Sequence, residues 1–163
     1  MPRDAQRAKV YAAEQFVRTL FDRAHEHGTG TIEFFGANLT LPPEARFASV
    51  DSVQRYVDDV LGHASVRRRW PAAQPLTVRA RRGTTAAHYE YDGNLATIAV
   101  PDRHTTWALR ELVVLHEIAH HLRRAEPAHG PEFVAAFCEL TEAVMGAEVG
   151  HVLRVVYAKE GVR

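Results

Sequence analysis

Apolar positions recur at intervals of three and four from Asp4 to His27, at Val10, Ala13, Phe16, Val17, Leu20, Phe21 and Ala24, which predicts an amphipathic helix. Gly28, Thr29 and Gly30 end it. Thr31 to Phe35 reads as a short strand, and the Pro42-Pro43 pair predicts irregular chain beyond it. A second helix is expected to begin near Ser49 or Asp51, with Val53, Tyr56, Val57, Val60 and Leu61 on its buried side and Gly62 near its end.

After Pro71 and Pro75 the period changes to two: Leu76, Val78 and Ala80 alternate with Thr77, Arg79 and Arg81. Segments from His88 to Tyr91 and from Leu95 to Val100 flank Asp92-Gly93, a strong short-range hairpin signal. A small antiparallel sheet is the expectation, closed by Pro101 and Asp102. From Thr105 or Thr106, either a suitable N-cap, a long apolar helix is predicted to reach about Arg124, and Pro127 breaks the chain after it. Pro131 suits the first position of the next helix, whose face is Phe133, Phe137, Leu140 and Val144 and whose stop is Gly146. A last helix runs from about Val149 to Lys159. With no internal repeat, low-complexity tract or linker, the pattern predicts one α+β domain over residues 1–163.

Composition narrows the functional classes. A content of 46% hydrophobic residues is enough for a real core, and 20 basic against 20 acidic residues remove any argument from bulk charge for a nucleic-acid or membrane partner. The single cysteine, Cys138, allows no intramolecular disulfide and no Cys-rich zinc ribbon; it reads as a small core hydrophobe. The first residues, Met1 to Arg7, are polar where a secretory signal needs an apolar stretch, and no run approaches the roughly 18 apolar residues of a membrane span. A cytoplasmic address is the expectation. Lys9 and Lys159 are the only lysines, a bias attributed to a GC-rich coding genome.

Ten histidines remain to be explained, and three of them cluster. His116 and His120 bracket Glu117, Ile118 and Ala119 within the long helix; at about 100° per residue the two rings sit about 40° apart, one turn above the other, and both can reach one ion. Glu117 flanks the same face, placed to touch a water on that ion without ligating it. This is the HExxH arrangement of zinc hydrolases. Catalytic zinc takes three protein ligands and keeps a fourth place for water, and His129-Gly130 fits that demand: Pro127 folds the chain back and Gly130 allows close backbone approach.

HEIAHH followed by HGPEF resembles the SprT-like zincins, with HExxH, a variable spacer, then HG and an aromatic residue three places beyond the glycine, here Phe133. It is similar in particular to a family of small, single-domain metallohydrolases of unassigned substrate. The resemblance implies a zincin-like α+β fold, zinc on His116, His120 and His129, and Glu117 as catalytic base. It also implies an antiparallel strand beside the active-site helix along which an extended peptide substrate lies, best matched by Leu95 to Val100. The Cys-rich ribbon of SprT-like DNA-repair proteases has no counterpart, which weakens a DNA-linked role.

Rival third ligands stay open. The metzincin spacing points to Glu126 but requires a glycine at Arg123, and a gluzincin-type ligand from the next helix is available at Glu132, Glu139 or Glu142. His121, about 100° around from His120, is expected to pack rather than ligate, and His104, His151, Tyr157 and Arg123 are unranked candidates for an oxyanion. Residues 66 to 103 hold seven arginines against Glu90, Asp92 and Asp102, which reads first as a solvated face. The same arginines support an alternative, a His₃ endoribonuclease gripping RNA phosphates. A further alternative is a non-catalytic zincin-like binding module; a zinc-dependent peptidase is the leading expectation.

Overall fold

The computed structural model describes residues 3–82, 86–101 and 109–163, and the chain forms an α+β fold with two compact units. One is Met1–Glu44 together with Ala125–Arg163, and the other is Ala45–Arg124.

In the first unit, α1 (Arg7–His27) buries Val10, Ala13, Val17, Leu20, Phe21 and Ala24, the stripe expected from the sequence except for Phe16, which is exposed, and Gly28 caps the helix in the left-handed conformation. A hairpin follows, β1 (Thr31–Phe34) and β2 (Ala37–Thr40), in antiparallel register from Thr31↔Thr40 to Phe34↔Ala37. Its two-residue turn has φ of 46° at Phe35 and 85° at Gly36, the pair of positive values that matches the twist of the flanking strands. The β2 strand was not expected, because it alternates no buried and exposed positions.

Two helices complete this unit: α5 (Pro131–Met145), with Pro131 in its first turn, and α6 (Ala147–Lys159), the break falling at Gly146. The α6 helix packs against both α1 and α5. Phe133, Phe137, Leu140, Val149, Val152 and Leu153 fill the core, and the Tyr157 hydroxyl donates to the buried Glu14 carboxylate at 2.8 Å.

The second unit contains α2 (Val50–Gly62), whose Ser49 and Ser52 form a reciprocal capping box and which ends at Gly62 as expected, and the short α3 (Ala64–Arg69), which the sequence pattern did not predict. Its sheet has the order β3 (Thr77–Arg81), β5 (Ala96–Pro101), β4 (His88–Tyr91). The hairpin expected across Asp92-Gly93 is present: the Asp92 carboxylate accepts from the backbone N–H of Asn94 and Leu95 at 2.9 and 2.7 Å, and β4 pairs antiparallel with β5. The β3 strand, however, joins β5 in parallel, so this sheet is mixed. The chain reverses between β3 and β4 and again between β4 and β5, and two reversals restore its direction.

The central position of β5, all six residues buried, corrects one expectation. Both of its edges are already hydrogen-bonded, to β3 and to β4, so the Leu95–Val100 segment has no edge left for an extended substrate. The outer edge of β3 is met by Gln54 of α2, which accepts from Val78 N at 2.7 Å and donates to Leu76 O at 3.0 Å.

The motif helix is α4 (Glu111–Leu122). It begins later than expected; Leu109 and Arg110 are non-helical, Arg110 bridging Arg46, and the proposed caps Thr105 and Thr106 lie outside the described residues. Its first turn is fastened by Glu111, whose carboxylate accepts from Ala45 N at 3.0 Å and from the Tyr56 hydroxyl, while Glu111 N donates to Ala45 O at 2.9 Å. Among the described residues no helix is long and apolar enough to cross a membrane.

Candidate metal centre

Ten of the twelve residues of α4 are buried, so the polar side chains at 116, 117, 120 and 121 are set in an apolar surround. Burying such groups is costly unless each has a partner or a ligand. His121 is accounted for within its own unit. One ring nitrogen, Nε2, lies 2.6 Å from the Gln74 carbonyl, which only accepts, so this nitrogen carries the proton; Nδ1 therefore accepts from the Tyr89 hydroxyl at 3.1 Å. Burial holds the His121 pKa below the ordinary histidine value. Both nitrogens are committed, as expected for a packing residue and not a ligand.

His116 and His120 are the helical pair the spacing predicts. Their Nε2 atoms stand 3.2 Å apart, with ring centroids at 4.9 Å and planes at 71°. Two imidazoles on one tetrahedral zinc at Zn–N distances of 2.0 to 2.1 Å have their nitrogens about 3.3 Å apart, so the pair fits a shared ion. Tyr89 of β4 stacks near His120, centroids 6.4 Å apart and planes within 16°. Glu117 is buried, 7% exposed.

His129 reaches its position by a tight turn. Gly130 N donates to Pro127 O at 3.0 Å, and a Cβ on Gly130 would stand 3.0 Å from Pro127 Cγ and 3.1 Å from Pro127 O, a fit so tight that Pro127 would have to give by a few tenths of an ångström. The ring is buried between Tyr11 of α1 and Phe133 of α5, at centroid distances of 5.1 and 5.2 Å. Its Nδ1 lies 2.8 Å from Asp4 Oδ2, and its backbone N–H donates to Asp4 Oδ1 at 3.2 Å.

His116 and His120 in one unit and His129 in the other each offer one ring nitrogen that could hold a metal ion. His116 and His129 are buried and His120 is half-buried. Three imidazole donors suit a divalent first-row cation, so the side chains present fit a metal. Among the described residues the rival carboxylates do not join this group: Glu126 and Glu132 are exposed, Glu139 is half-buried on α5, and Glu142 pairs with Arg154 at 2.7 Å.

Of the oxyanion candidates, Tyr157 is committed to Glu14, His151 and Arg123 are exposed, and His104 lies outside the described residues. In the arginine-rich segment, Arg79 Nη2 donates to both carboxylate oxygens of Glu90 across the sheet, each at 2.8 Å, which also holds the Glu90 carboxyl below the usual range. Cys138 is buried, as a core residue should be. Sequence reasoning missed Asp4 and Tyr89, which lie 125 residues from His129 and 32 from His121, beyond the reach of any spacing rule. No protein-family model matches the chain, and comparison with curated proteins and with solved structures gives no match.

Proposed function

We propose that this chain is a zinc-dependent hydrolase of zincin type, acting on peptide bonds, with His116, His120 and His129 as metal ligands and Glu117 as general base. The observation that carries the reading is the pair of Nε2 atoms of His116 and His120, 3.2 Å apart on one helix, with the buried carboxylate of Glu117 next to His116 in sequence; in this reading His129 supplies the third nitrogen. A structural zinc is normally closed by four protein ligands, and three histidines leave a place for water, which favours an enzyme over a binding module.

A divalent ion held there supplies a Lewis acid that lowers the pKa of water to about 7 and polarises a carbonyl. Glu117 does the proton work: its carboxylate takes a proton from the attacking water and delivers it to the nitrogen of the leaving amine, so that the amide C–N bond breaks to an acid and an amine. Burial of Glu117 keeps bulk water from competing for that proton. An extended peptide has β4 as its available neighbour, since β4 is the outer strand that packs beside α4 and carries Tyr89 against His120. The endoribonuclease alternative draws less support, because Arg79 is already spent on Glu90.

The test is Glu117→Gln assayed on a peptide library beside the wild type. Retained zinc with hydrolysis reduced at least a thousandfold is the expected result; turnover preserved in that variant refutes the role of Glu117.

A further inference from the structure

We propose that Asp4 is the positioning residue for His129, fixing which nitrogen of that ring is offered to a metal. The inference rests on the reading of His129 as a ligand and adds a residue that no spacing pattern identifies. The two carboxylate oxygens of Asp4 divide between two groups of one residue: Oδ1 accepts from the His129 backbone N–H at 3.2 Å, and Oδ2 faces Nδ1 at 2.8 Å. A carboxylate accepts and does not donate, so the ring proton sits on Nδ1 and the lone pair on Nε2. Carboxylates that orient a metal-binding histidine in this way raise its basicity and hold its tautomer.

The segment bearing Asp4 is itself anchored. Gln6 Nε2 donates to the His129 carbonyl at 2.8 Å and to Arg163 O at 2.8 Å, and Gln6 Oε1 accepts from Arg163 N at 3.0 Å. His129 is thus gripped at backbone N–H, carbonyl and ring by two side chains on one short stretch preceding α1. That is more than a loop needs to be folded, and it leaves the ring little freedom to rotate.

The substitution Asp4→Asn distinguishes positioning from mere packing. The single oxygen of the amide is claimed by the His129 backbone N–H, so its NH₂ faces Nδ1, which must then accept. The ring proton is driven to Nε2, the nitrogen meant for the metal.

Two readouts on the full chain follow. In metal-free wild type, nitrogen NMR of the His129 ring, assigned by its loss in His129→Ala, should give a protonated Nδ1 and a bare Nε2, reversed in Asp4→Asn. Zinc affinity, measured by competition with a chelator, should fall 10- to 100-fold in Asp4→Asn. Zinc binding that His129→Ala weakens and Asp4→Asn leaves within twofold of wild type overturns the role of Asp4 while the metal reading stands. Zinc bound as tightly by His129→Ala as by wild type overturns the ligand reading first. A wild-type ring protonated at Nε2 overturns the proposal even if the Asp4 variant does not fold.

Discussion

The Tyr89 hydroxyl donates to His121 Nδ1 at 3.1 Å, and this bond commits the second of two adjacent histidines to packing within the fold. With Nε2 bound to the Gln74 carbonyl at 2.6 Å, His121 has spent both nitrogens, whereas its neighbour His120 faces His116. The same tyrosine lies alongside His120, so β4 braces the motif helix at two consecutive histidines. Arg124 covers the Tyr91 ring at 3.8 Å and extends that brace beyond the helix end.

Replacing His121 by alanine therefore tests structure without touching the metal. The Tyr89 hydroxyl and the Gln74 carbonyl each lose a partner, for a combined cost of about 2–4 kcal/mol. The melting temperature should fall by roughly 5–15 °C, while zinc stoichiometry stays at one per chain. Loss of the zinc would show that His121 ligates.

Metal removal should act through the three clustered histidines alone. A ligand that binds the native state at 100 times its Kd adds about 2.7 kcal/mol, so on the proposed reading zinc should raise the melting temperature of the wild type and a chelator should reverse the rise. His116→Ala and His120→Ala should abolish the shift, and Glu139→Ala should keep it in full. A shift that survives His120→Ala removes the shared-ion geometry from consideration.

What the sequence could and could not reveal follows from the range of each interaction. The His116–His120 pair is legible because one helical period fixes their mutual angle, and the turn before His129 because Pro127 and Gly130 mark it. Pairing order in a sheet is non-local: nothing in Thr77–Arg81 distinguishes a parallel neighbour from an antiparallel one, and the parallel join of β3 to β5 stayed hidden. The β2 strand was illegible for a different reason, since its turn is led by Phe35 where an Asn or Asp would have announced positive φ. Asp4, through two hydrogen bonds to His129, and Tyr89, through one to His121, act on residues distant in sequence and leave no periodic trace.

Gly130→Ala is a sharper probe of the turn than its size suggests. The new Cβ meets Pro127 at 3.0 Å from Cγ and 3.1 Å from the carbonyl oxygen, and the backbone must give. A cost of about 1–3 kcal/mol is expected, together with a loss of zinc affinity because His129 moves with its neighbour. Calorimetric unfolding paired with a zinc titration measures both; unchanged affinity at reduced stability would uncouple the turn from the ligand.

Cys138 supplies a test of the core that is independent of any metal. It is 4% exposed, and burial pushes its thiol from 9.0 up to about 12, so the thiolate needed for alkylation is scarce in the native state at pH 8. Iodoacetamide should modify it only as fast as the chain unfolds. The same shift has a sign in the stability curve. A thiol that holds its proton more tightly when folded contributes stability below pH 9, and that contribution is lost as pH rises toward 12. Tyr157, fully buried beside Glu14 and likewise raised, adds to the loss above pH 10. Urea unfolding between pH 8 and 11 should therefore show a steep alkaline decline, and Cys138→Ala should lessen its slope by up to about 1.4 kcal/mol per pH unit. An unaltered slope in that variant would mean that the thiol ionises as freely in the folded chain as in the unfolded one.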